Sequence, residues 1–150
     1  MPGKTLSRNE EQTILMTVLY EALTYLDMKE EVDVEKLLSD AVEKPYEEVS
    51  FYLKKSLIEA LKNLPVIIEE FNKHMRKWTF DRLNRVEQAI LIMSFAHYYY
   101  VEPEVDKKVV IDIAIKLSKT YLAPTDYKFV NAILDNVLIP ENKEKYASHP

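Results

Sequence analysis

The sequence predicts an all-α fold of about seven helices, and three observations carry that reading. The chain holds one glycine, Gly3, against seven prolines. Tight strand-to-strand turns need residues that tolerate positive φ, so a hairpin-rich sheet would lack its turn chemistry. Apolar residues recur at steps of three and four along nearly every segment, which is the period of a helix with one buried face. The third observation is the stretch from Trp78 to Tyr100, WTFDRLNRVEQAILIMSFAHYYY. There Val86, Ala89, Ile90, Met93 and Ala96 or His97 keep helical spacing, while Ile92 and Phe95 fill the gaps. A helix apolar nearly all round is buried by several neighbours, so the other helices are expected to surround this one.

Ser7 with Glu10 three residues later is a capping box. It opens a first helix with the stripe Ile14, Leu15, Val18, Leu19, Ala22, Leu23 and Leu26. Asp33 caps a short second helix carrying Val34, Leu37, Leu38 and Ala41. Pro45 stops it and suits the first turn of a third. That helix runs to about Asn63, with Val49, Tyr52, Leu53, Leu57, Ala60 and Leu61 inward. Pro65 starts a fourth in the same way, with Ile67, Ile68, Phe71 and Met75. Residues 78–84 read as a turn or a frayed helix end. Asn84 with Glu87 is a second capping pattern, at the head of the central helix, which Pro103 closes. Asp106 caps a sixth helix, lined by Val109, Val110, Ile113, Ala114 and Leu117. Pro124 and Thr125 precede the last, with Phe129, Val130, Ile133, Leu134 and Val137, and Pro140 ends it. The polar remainder, ENKEKYASHP, is expected to be a flexible tail at 141–150. Short connections set consecutive helices side by side. The break at 64–80 is a candidate boundary between two helical subdomains.

With 47% hydrophobic and 30% charged residues, the chain has apolar mass for a core. It contains no cysteine, so disulfides and thiolate metal sites are excluded, which fits a reducing compartment. The start, MPGKTLSRNEE, has no apolar signal core. The longest apolar run, Ala89 to Ala96, is broken by Ser94 and falls far short of the roughly 20 residues of a membrane span. A cytoplasmic location without membrane association is expected. No Gly-rich phosphate loop, Cys nucleophile or Ser elbow occurs. The histidines, His74, His97 and His149, are scattered. No catalytic group, metal or cofactor is therefore expected. A lone histidine such as His97 on an apolar helix is usually a core or interface residue.

A net charge of −5 is the wrong sign for a bulk polyanion binder, so a nucleic-acid site must be local. Between Phe71 and Ile90 five cations (Lys73, Arg76, Lys77, Arg82, Arg85) face two acids (Asp81, Glu87), interleaved with Phe71, Trp78 and Phe80. Cations beside exposed aromatics suit single-stranded RNA. The plainer alternative, favoured on pattern alone, is that the aromatics are core and the cations solvate a helix end. Tyr98, Tyr99 and Tyr100 point three ways from a helix, so at least one is expected near the surface. There it would suit a protein interface or simply let its phenol reach water.

The order of residues goes further. RLNRVEQAILIMSFAHY (Arg82–Tyr98) resembles the signature of the NusB family of transcription antitermination factors, in which an RL dipeptide, a polar gap and V-E-x-A-[IV]-L open the central helix. VDKKVVIDIAIKLSKTY (Val105–Tyr121) resembles that family's next helix, and TDYKFVNAILDNV (Thr125–Val137) its closing K-F-V-N-G-[VI]-L-D motif. TVLYEAL (Thr17–Leu23) is similar to its A-L-Y segment. The clear match covers about residues 78–138, with helix order agreeing before that.

The resemblance implies two small packed helical bundles within residues 1–140, an N-terminal subdomain of about 5–77 and a C-terminal one of about 78–138. It implies a non-catalytic RNA-binding protein that recognises boxA-type single-stranded RNA together with the ribosomal protein NusE. RNA polymerase and other transcription elongation factors are further partners it suggests. Carried onto this chain, the RNA-binding candidates are Arg8, Tyr20, Arg82, Arg85, Lys128, Phe129 and Asn131. Phe129 also fits simple core. Glu87, His97 and Tyr98 are the expected contacts with the protein partner. Departures from the pattern bear on function. The arginine cluster usual at the start of the first helix is reduced to Arg8 in LSRNEEQ. Ala96-His97 replaces Tyr-Glu, Asp112-Ile113 stands where Asn-Glu is common, and Ala132 replaces the motif's glycine. Fewer cations lower RNA affinity and its salt dependence. A second reading is therefore a protein-interaction module of this fold that has lost much of its RNA binding. The fold also serves as the N-terminal domain of some ribosomal RNA cytosine methyltransferases. That reading is set aside, since no residues remain for a catalytic domain and no Cys for its chemistry.

Overall fold

In a computed structural model of the chain, which describes residues 5–147, helices start where local chemistry caps them. Helix α1 (Arg8–Asp27) opens on the capping box: Glu10 N donates to Ser7 Oγ at 3.1 Å, and Ser7 N to Glu10 Oε1 at 2.9 Å. Asp33 caps α2 (Val34–Val42), Asn84 caps α5 (Arg85–Ala96) and Asp106 caps α6 (Lys107–Tyr121). Helix α4 (Leu64–Lys73) carries Pro65 in its first turn, and α7 (Asp126–Val137) follows Thr125. Helix α3 (Phe51–Lys62) departs from expectation. Pro45 does not open it; Tyr46–Glu48 form a 3-10 turn, and Ser50 supplies the cap through a bond from Leu53 N. With glycine absent from these turns, Lys29 and Glu43 take left-handed φ values of 58° and 57° beyond α1 and α2, at roughly 1 kcal/mol each.

Helix α5 is the spine. No residue from Ala89 to Ala96 is more than 4% exposed, and α1, α3, α4, α6 and α7 all lie against it. Helix α1 runs antiparallel to it, since Arg8 meets Glu102 beyond one end while Thr24 meets Arg85 at the other. No strand occurs among the described residues.

Three expectations need correction. Helix α5 runs on into a π turn, His97–Val101, where Glu102 N donates to His97 O at 3.1 Å. The wider turn rolls Tyr98 and Tyr99 inward, each 1% exposed, and leaves only Tyr100 partly accessible. Secondly, residues 141–147 of the expected tail are ordered helical structure. A 3-10 turn at Pro140–Asn142 leads into an eighth helix, α8 (Lys143–Ala147). Its Tyr146 is 4% exposed, with ring centroids 4.5 Å from Tyr99 and 5.4 Å from Phe95. Lys143 Nζ sits 3.9 Å above the Tyr98 ring and donates to Val105 O at 2.8 Å. One buried tyrosine and one lysine stem order a segment whose composition is polar. His149 and the last three residues lie outside the described part, as does Lys4. Finally, Leu26, Ala41, Val109 and Phe129 turn to solvent at the edges of their stripes, while Met16 and Ile111 turn in.

Candidate nucleic-acid interface

At the start of α1, Arg8 Nη1 lies 3.0 Å from Glu102 Oε1 and its Nε lies 3.6 Å from Glu11 Oε1. Its guanidinium sits 4.0 Å over the Tyr52 ring. The same Glu102 oxygen is 2.7 Å from His97 Nε2. Burial lowers the His97 pKa against the pull of that hydrogen bond. The ring is then neutral near pH 7 and acts as an Nε2–H donor. Burial resists ionisation of Glu102, but the bonds from His97 and Arg8 outweigh it and hold its carboxyl below the usual value. Burial pushes the Tyr52 phenol up to about 12.

At the other end of α1, Arg85 Nη1 donates to Thr24 Oγ1 at 3.0 Å and Nη2 pairs with Asp27. Its guanidinium is 5.9 Å from the ring centre of Tyr20, which is 42% exposed. The structure thus brings Tyr20 and Arg85 together. Arg8 stands apart, about 24 Å from Thr24 along the helix at 1.5 Å per residue.

The closing motif lies on α7. Val130, Ile133, Leu134 and Val137 face the core, whereas Lys128, Phe129 and Asn131 are exposed. Phe129, in the predicted apolar stripe, is 37% exposed. The start of α7 lies near that of α5, where the charge of Asp126 acts on Glu87. Arg82 is exposed in the 3-10 turn Phe80–Arg82. Of the aromatics in the basic stretch, Phe71 and Phe80 are core and stack at 5.3 Å and 23°, so the plainer reading holds for them. Trp78 is on the surface.

The expected partner contacts, Glu87, His97 and Tyr98, are all buried. A helix surrounded on every side, ending in a π turn, leaves none of them a side chain to offer a docked protein in this conformation. Glu87 N donates to Asn84 Oδ1 at 2.8 Å, while burial and Asp126 push its carboxyl up to about 7. Sequence reasoning missed Glu102 and Tyr52 as the partners of Arg8, because no periodicity links positions 94 residues apart. Among the described residues no His/Cys/Asp/Glu group could hold a metal ion, and no helix is long and apolar enough to cross a membrane.

A solved NusB from T. maritima superposes on this chain with a TM-score of 0.77, covering 95% of it and 99% of that chain at 23% identity. The protein chain of a structure described as a plectonemic RNA supercoil gives 0.68 over 95% of this chain and 100% of that one, at 25% identity. A transcription antitermination protein NusB from Oceanobacillus iheyensis is 29% identical over 119 residues, 79% of this chain and 91% of that protein. One from Treponema denticola is 34% identical over 84 residues, 56% and 61% of the two chains. The class these likenesses define is that of transcription antitermination factors, which are non-catalytic. The chain belongs to the NusB family, whose sequence model matches residues 9–138.

Proposed function

We propose that the protein is a cytoplasmic antitermination factor that binds boxA-type single-stranded RNA together with NusE, and works with RNA polymerase and other elongation factors. The observation that supports this best is on α7. Phe129, which periodicity assigns to the core, is open to solvent on a helix that also exposes Lys128 and Asn131. A ring, a cation and an amide offer stacking, phosphate and base-edge contacts, the three needs of single-stranded RNA recognition. Tyr20 with Arg85, and the exposed Arg82, add ring and charge. The test is binding of a boxA-type RNA, with and without NusE, at two salt concentrations. Specific binding that weakens with salt supports the reading; affinity no better than for a scrambled RNA in every condition overturns it.

A second reading, a protein-interaction module with little RNA affinity, is favoured by one observation. Arg8 and Arg85 are each already held by a carboxylate, Glu102 and Asp27. Capture of NusE without RNA affinity would select it.

A further inference from the structure

Trp78 is the chain's single tryptophan, and it is 58% exposed. Its exposure does not come from a loose chain. Two residues later Phe80 is 2% exposed and stacked on Phe71. Phe80 N donates to Asn72 Oδ1 at 2.7 Å, and its carbonyl accepts from Gln88 Nε2 at 3.0 Å. Upstream, α4 ends at Lys73. Residues 74–79 therefore bridge two fixed points, and the indole stands out from that bridge.

Its setting is cationic. From Lys73 to Arg82 four cations (Lys73, Arg76, Lys77, Arg82) face one acid, Asp81, in a chain of net charge −5. Lys73 is paired with Glu70 at 3.0 Å, and the Thr79 hydroxyl donates to Asp81. Arg76, Lys77 and Arg82 are exposed and enter no ion pair among the described residues. A tryptophan that anchors a protein partner sits at the centre of a patch depleted of charged residues. A lone ring flanked by unpaired cations matches instead a stacked base between phosphates.

We infer that Trp78, with Arg76, Lys77 and Arg82, is a stacking platform for single-stranded RNA. The indole takes one base and the three cations take the adjoining phosphates. This rests on the RNA binding proposed above and adds a contact that neither α1 nor α7 supplies.

The single tryptophan reports on its own site. The full chain is titrated with a boxA-type RNA while binding is followed independently by anisotropy of labelled RNA. Tryptophan emission should quench in step with binding. Trp78→Ala should weaken binding by about 5- to 100-fold, Trp78→Phe should keep most of the affinity, and Arg76→Glu with Lys77→Glu should lower the salt slope by about two. Circular dichroism should show both Trp78 variants folded. Unchanged emission on RNA-saturated protein, or wild-type affinity in Trp78→Ala, overturns the platform and leaves RNA binding elsewhere standing. Failure of the wild-type chain to bind RNA at all overturns both. A blue shift with NusE alone, with no RNA effect, overturns the platform in favour of a protein contact.

Discussion

Glu102 joins Arg8 and His97 through one oxygen: Oε1 lies 3.0 Å from Arg8 Nη1 and 2.7 Å from His97 Nε2. The first expected phosphate contact is therefore already occupied by an acid of the same chain. Glu102→Gln should free Arg8 to meet RNA. Both side chains are about half exposed, at 49% and 46%, and such pairs contribute about 0–1 kcal/mol. The gain in RNA affinity should be at most about fivefold, with a steeper salt dependence. Titrations of the variant and wild type at two salt concentrations measure it; an unchanged salt slope removes Arg8 from the RNA face.

Glu87 should make stability fall as pH rises. Its native carboxyl is raised from 4.5 to about 7 by burial and by Asp126. Below pH 4.5 the group is protonated in both states and has no effect. As pH climbs through 7 the unfolded chain ionises freely while the folded one resists. The resulting loss is on the order of 3 kcal/mol by pH 8. Glu87→Gln should accordingly be more stable than wild type at pH 8 and equal to it at pH 4. Urea unfolding at the two pH values checks the contrast, and equal gains at both would refute it.

Tyr146→Ala should destabilise the fold by about 3 kcal/mol, the usual range for truncating a buried aromatic. A free tail would predict no change at all. Denaturant unfolding at pH 7 separates the two.

Lys128→Glu should lower RNA affinity and reduce the salt slope by about one. Its Tm should stay within about 2 °C of wild type, because Lys128 is exposed. Anisotropy titration and thermal unfolding together test the claim. A folded variant with unchanged affinity takes Lys128 off the RNA surface.

Helix starts were readable because caps are local. Ser7, Asp33, Asn84 and Asp106 each satisfy a backbone N–H two or three residues on, and that relation is written in adjacent residues. Ser50 escaped notice because Pro45 offered a competing start. The central position of α5 was readable from its unbroken apolar surface. What was not readable depends on distant neighbours. Tyr146 is core only because Phe95 and Tyr99 leave room beside them. Phe129 and Val109 fit their stripes by spacing, yet the period cannot tell the middle of a face from its edge. The RNA-binding candidates were legible as residue types. Their grouping was not, because Tyr20 meets Arg85 only once α1 lies antiparallel to α5.

The π turn at His97–Val101 has a further consequence. Its bonds span five residues where an α-helix spans four, so the backbone there carries one residue of slack. Removing a single residue from 97–101 would be absorbed by tightening the turn to ordinary α geometry, which leaves α1 to α5 in place and the chain beyond near its present phase, because the extra residue of a π turn is accommodated inside the turn itself. The cost falls within the turn, where the tyrosines would change places, and Tyr99 would lose its bonds to Val137 O and Ile139 N. This short loop of helix therefore works as a gasket between the spine and the closing segment: its length sets which tyrosine is pressed against α8.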